Sequence, residues 1–213
     1  MRYGRIIKRI TASLCVLAML LSLAACGDGL IRLEYEDDRF VNRSAGLSYI
    51  AAPVSYEPTV IGEAYAYCQS ADLTLYKVDG NDPPYYMSTE NAGELTTVFH
   101  SDTIVLPTLT EFQANAIHVC ESDYYTFEVL CIDEEAFVDR VVTMFENGAE
   151  VSLPAGASVL HYDMKFASDT WTSFYINLNY YEFESGNYLY NRGTRRCVEV
   201  GDLFWEILHG EES

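Results

Sequence analysis

The sequence predicts an α+β fold that is β-rich: mostly antiparallel sheet, with one long helix at about 133–147 and a short C-terminal helix. Three observations lead there. The chain holds 17 tyrosines and 10 phenylalanines among 213 residues. With Val, Thr and Ile, these residues fit the pleated, half-buried surface of a strand better than a helix. Most apolar segments are short, and Gly, Pro, Asn or Asp bound them. One stretch carries apolar residues at helical spacing through several turns: Phe137, Val138, Val141, Val142 and Phe145.

Residues 31–52 read as a hairpin. Ile31, Leu33 and Tyr35 alternate with charged residues, Asn42 to Gly46 turns, and Leu47 to Ile50 returns. Pro53 and Pro58 interrupt regular pairing. Gly62–Cys68 and Leu73–Val78 are two further strands, followed by a turn at Asp79-Gly80-Asn81-Asp82-Pro83-Pro84. Residues 85–93 fit a loop or one helical turn equally. Leu95–Phe99 and Thr103–Leu106 are short strands ahead of Pro107. Residues 117–120 and 126–131 pair around Glu121–Tyr125, which sets Cys120 near Thr126 and away from Cys131.

Asp133 is the expected N-cap of the helix, and Glu134 and Glu135 lie favourably at the positive end of its dipole. Gly148 fits the C′ position. Beyond Pro154 the chain returns to strands at Val159–Phe166, Ser173–Phe183, Tyr188–Tyr190 and Cys197–Val200, an antiparallel meander. Asp202 is expected to cap a final helix carrying Leu203, Phe204, Ile207 and Leu208. A break near 107–115 is compatible with two subdomains. Neither side has a linker composition, so residues 31–213 are read as a single globular domain.

The N-terminal stretch follows a different logic. Arg2, Arg5, Lys8 and Arg9 precede an apolar run from Ile10 to Leu23. That run is shorter than the roughly 20 residues needed to span a bilayer, and it fits the apolar region of a signal peptide. Leu23-Ala24-Ala25-Cys26 resembles the lipobox of bacterial lipoprotein precursors at all four positions. The resemblance implies a signal peptide at 1–25 and a diacylglyceryl group on the Cys26 sulfur. Residues 26–30 would then form a short membrane-proximal tether. The chain as a whole is similar in style to single-domain envelope lipoproteins of Gram-positive bacteria, a resemblance that carries over no catalytic residue.

Cleavage there would remove four basic residues and no acidic one, leaving nine Lys+Arg against 32 Asp+Glu and a formal charge of −23. Such a field repels nucleic acid and anionic polymers. Nucleic acid is therefore excluded as a partner. Four cysteines remain in the body, Cys68, Cys120, Cys131 and Cys197, and both disulfides and free buried thiols are open to them outside the cytoplasm.

No nucleophile motif, phosphate-binding glycine pattern or Cys-x-x-Cys is present, and nothing calls for a cofactor. The four histidines are scattered. His118-Val119-Cys120 comes nearest to a ligand pair, with both side chains on one face of a strand, and packing accounts for it. Asp79 to Asp82 has oxygens suited to calcium but not the loop order, and turn chemistry explains it. Arg192, Arg195 and Arg196 are expected to pair with Glu182, Glu184 or Glu199.

The strand Ser173–Phe183 offers the candidate ligand-binding surface. Alternation turns Phe174, Ile176, Leu178 and Tyr180 to the core. Tyr175, Asn177, Asn179 and Tyr181 then share the other face, flanked by Trp171. Aromatic platforms with amides bind sugars and peptides, although cross-strand Tyr pairs on a solvated sheet look the same. The expectation is a non-enzymatic interaction or ligand-binding module, anchored to the membrane through Cys26 on the extracytoplasmic face. Its partners would be a glycan, a peptide or another envelope protein. The alternatives are a surface hydrolase working through Asp/Glu residues and an accessory subunit of a membrane complex.

Overall fold

The computed structural model describes residues 29–90, 96–122 and 126–210. The expected signal peptide, the lipobox-like segment and Cys26 lie outside these residues, as do the start of the Leu95–Phe99 segment and residues 123–125. Strands dominate, and the described residues include three helices. None of these is long and apolar enough to cross a membrane.

A seven-stranded closed barrel comes first: β1 (Ile31–Glu36), β2 (Arg39–Asn42), β3 (Leu47–Ala51), β5 (Ala64–Cys68), β6 (Leu73–Lys77), β7 (Tyr86–Ser88) and β8 (Val98–Ser101). Two antiparallel meanders, β1-β2-β3 and β5-β6-β7-β8, are joined by antiparallel pairing of β3 with β8 and parallel pairing of β1 with β5. The parallel pair follows from parity, because an odd number of strands cannot alternate direction all the way round a closed ring. Residues 31–52 thus form three strands rather than a two-stranded hairpin. Asp37 and Asp38 make the extra turn, both at positive φ (48° and 59°), the two-residue geometry that matches strand twist. Asp79 organises the next connection by accepting from the backbone N–H groups of Asn81, Tyr85 and Tyr86. That bond set draws the following residues into β7, where the sequence allowed only a loop or a helical turn.

The second layer is an antiparallel sheet ordered β10 (Thr126–Ile132), β9 (Ala116–Ser122), β11 (Leu160–Ala167), β12 (Phe174–Phe183), β13 (Gly186–Tyr190) and β14 (Cys197–Glu199). A short strand between β3 and β5, β4 (Tyr56–Pro58), pairs with the start of β12 on the edge that β13 occupies further along. Against one face pack α1 (Leu109–Phe112) and α2 (Glu135–Asn147), with α3 (Trp205–His209) at the C-terminal end. The first of these helices was not foreseen. Thr108 and Glu111 form a reciprocal capping box that starts it, and Thr103–Leu106, expected as a strand, forms no ladder.

With 13 residues, α2 is of ordinary rather than great length. Phe137, Val138, Val141 and Phe145 are buried, whereas Val142 is only half-buried at the margin of the stripe. Its N-cap is Glu134 rather than Asp133 and makes no side-chain bond. At the other end Gly148 is extended rather than left-handed. Glycine is required there by close approach, since a Cβ would meet the Met144 carbonyl oxygen and Val198 at 2.5 Å. Arg196 serves the helix end: its guanidinium donates to the carbonyls of Phe145, Glu146 and Gly148, which the helix leaves unpaired. It pairs with Glu150, not with the glutamates expected from sequence. Asp202 likewise does not cap the last helix, whose N-cap is the buried Phe204.

Candidate functional site

The β12 strand alternates cleanly. Phe174, Ile176, Leu178 and Tyr180 are buried in the core, and the residues between them project to the opposite face of the sheet. Neighbouring strands do the same in register. On β11, Met164 and Phe166 face the core, so His161, Asp163 and Lys165 share the outer face with Tyr181, Asn179 and Asn177, their cross-strand partners.

This outer face is a strip of mutually bonded polar and aromatic side chains. Lys165 ion-pairs with Glu57, which reaches across from β4, and Asn177 donates to the same carboxylate at 3.5 Å. Asp163 accepts from the Asn179 amide and from the Ser122 hydroxyl, the latter at 2.6 Å. The Asn179 amide also donates to His161 Nε2 at 3.2 Å, and the imidazole stacks on Tyr181 with centroids 4.7 Å apart and planes 11° from parallel. Burial holds the His161 pKa below the ordinary histidine value; Asp163 opposes that shift and Arg192 adds to it. A neutral ring with a free Nε2 lone pair is what the Asn179 bond requires.

Each residue expected here from sequence has a definite place. Tyr175 and Tyr181 lie half-buried on the face, Tyr175 edge-on to His118 at 5.7 Å. Asn177 is half-buried, and its Oδ1 has no hydrogen-bond partner among the described residues. Asn179 is 3% exposed and committed to Asp163 and His161, so it braces the strip instead of meeting a ligand. Trp171 does not join the row. Ser168 Oγ accepts from its backbone N–H, and its ring packs against Phe174 on the core side. The residues missed were Glu57, His161, Asp163 and Lys165. The alternation within Val159–Phe166 carried the signal for the last three; Glu57 gave none, because only the β4–β12 pairing brings it in.

At the far end of the strip lies the β9–β10 pair. Cys131 stands opposite His118, and Glu128 opposite Cys120, so Cys120 faces Glu128 rather than Thr126. His118 Nδ1 and a Glu128 carboxylate oxygen are 2.7 Å apart. Desolvation, then the nearby Glu128 and Asp133 carboxylates, raise the Cys131 thiol pKa. Cys68, Cys120, Cys131 and Cys197 are all free thiols, the first, second and fourth buried. A shallow depression of about 540 Å³ lies elsewhere, on α2 beside Ala136, Arg140 and Thr143, and takes in no part of the strip.

Comparison with protein-family models, with curated proteins and with solved structures finds no match.

Proposed function

We propose that this chain is a lipid-anchored, extracytoplasmic binding module, tethered through Cys26 and recognising an extended polar ligand, a glycan or a peptide, with the outer face of its larger sheet. The anchor rests on Leu23-Ala24-Ala25-Cys26 and on the basic and apolar segments before it. A single observation supports the recognition surface: a row of hydrogen-bonding groups and two tyrosines held half-buried by one another across four strands. Side chains already ordered lose little rotamer freedom on binding, so such a row meets a ligand at lower entropic cost than free surface residues would. Tyr175 and Tyr181 are six residues apart along a strand, roughly 20 Å, which suits an extended ligand rather than a small metabolite.

The test is a screen of the full chain, in detergent, against wall glycans and peptides, with Tyr175→Ala and Tyr181→Ala run beside it. Both variants should weaken binding while keeping the wild-type circular dichroism spectrum. In cells, Cys26→Ala should abolish fatty-acid labelling and release the protein from the membrane fraction. Continued labelling of that variant would remove the anchor from this reading.

A further inference from the structure

We propose that His118, Glu128 and Cys131 form a binding site for a divalent transition metal of the zinc class. One ligand atom from each lies within 4.8 Å of the others. Imidazole nitrogen, thiolate sulfur and carboxylate oxygen are the three donor types that zinc takes from proteins. Three protein donors leave a fourth position for water or a ligand, the arrangement of an open rather than a closed site.

The way the donors meet is the stronger observation. Residues 128 and 131 are three apart, an odd spacing that turns their side chains to opposite faces of a regular strand. In β10 the register shifts between Glu128 and Leu130: Leu130 pairs with Val119, yet Glu128 pairs with Cys120. The extra residue, Val129, carries Glu128 round to the outer face, where His118 and Cys131 already oppose each other. Bulges of this kind re-aim single side chains and concentrate beside functional sites. The Tyr175 ring packs against the His118 imidazole, with centroids 5.7 Å apart and planes 67° from parallel.

Ligand bonds of about 2.0–2.3 Å in a tetrahedron place donors roughly 3.3–3.8 Å apart. The donors must therefore close by a fraction of the present spread, and the His118–Glu128 contact must open from 2.7 Å as the metal replaces it. Cys131 and Glu128 are exposed, so their side chains have room for that adjustment. On binding, the Cys131 thiol loses its proton to solvent, and bonds from the metal to the Cys131 sulfur, a His118 nitrogen and a Glu128 oxygen replace waters of the hydrated ion, which leave to solvent. The strongly acidic body concentrates cations around the site. This inference stands apart from the anchor and from the glycan or peptide reading.

The full chain, stripped with a chelator, is titrated with zinc alone by calorimetry and then with cobalt(II), whose thiolate charge-transfer absorption reports a Cys ligand. One zinc per chain and a thiolate band are expected. Cys131→Ser should remove the band, and Cys131→Ser and His118→Ala should each weaken zinc by more than about 100-fold, beyond the 10–100-fold effect of an outer-shell partner. Cys120→Ser should leave both unchanged, since its sulfur lies outside the triad. Absence of zinc binding by the wild-type chain overturns the proposal, whatever the variants do. So does wild-type affinity in Cys131→Ser and His118→Ala variants that keep the native dichroism, or loss of the thiolate band in Cys120→Ser.

Discussion

The barrel and the larger sheet solve the same packing problem at different scales. Eight buried residues, Leu33, Phe40, Tyr49, Tyr65, Ala66, Cys68, Leu75 and Met87, form the barrel core, while twenty gather between the sheet and its helices. Their charges differ as well. Around the barrel, Arg43 with Glu34 and Glu36 is an exposed ion-pair group, and pairs of that kind add little. On the sheet, charged groups are drawn inward: Lys165 with Glu57 on the outer face, and Glu182, 5% exposed, with Tyr180 and His209 on the core side. A small closed ring leaves few interior positions, and its strands bury small polar side chains such as Asn42, Ser88 and Ser101 while the Arg43 ion pairs stay in water. A sheet covered on one face has room to draw charged groups inward on both, as Lys165 with Glu57 and Glu182 with His209 do.

The largest expected effect tests whether the two regions unfold as one. Phe174 on β12 packs against Tyr56, Phe112, Trp171 and Tyr86, and Tyr86 belongs to barrel strand β7. Phe174→Ala should cost about 3–5 kcal/mol. If the junction couples the regions, urea unfolding of the variant should separate into two transitions by tryptophan fluorescence and far-ultraviolet dichroism; a single coincident transition would mean that coupling lies elsewhere.

A smaller effect is expected at Glu182. His209→Ala removes a donor at 2.9 Å and leaves the buried carboxylate to the Tyr180 hydroxyl alone. The expected loss is about 1–3 kcal/mol, measured by urea denaturation at neutral pH. His209→Gln, which keeps a donor, should recover part of it.

His161 sharpens the contrast through pH. Its pKa is lowered in the folded state, so the unfolded chain binds the proton more readily. That contribution is fully present above the unfolded value of about 6.5 and is lost as pH falls below it. The urea midpoint should therefore drop between about pH 7 and pH 5, and the drop should shrink in His161→Gln. Glu34 and Glu111, whose pKa values are also lowered, titrate below that window. The smallest effect belongs to the barrel surface: Arg43→Ala should leave the thermal midpoint within experimental error despite losing both glutamate contacts.

Much of this architecture was legible beforehand, and particular residues show why. β10, over Thr126–Ile132, covers the 126–131 segment that composition and turns predicted, and the inward set on β12 follows from period-two alternation alone. Both depend on a few consecutive residues. The role of Arg196 was not legible, because its partners are carbonyls some fifty positions away that exist only once α2 has ended beside it. Asn179 was placed on the correct face, but its burial depends on Asp163 and His161 from the neighbouring strand.

By itself the sequence determined the strand-rich class, the helix stripe, the faces of the long strands and the acidic charge, since local periodicity and composition encode each of these. Tertiary structure alone decided the rest. It set the parity that makes β1 and β5 parallel, the insertion of β4 that delivers Glu57, and the bulge that turns Glu128 toward His118 and Cys131. These depend on which distant segments pair and in what register. That choice is made by closing loops and burying surface across the whole chain, and no window of neighbouring residues contains it.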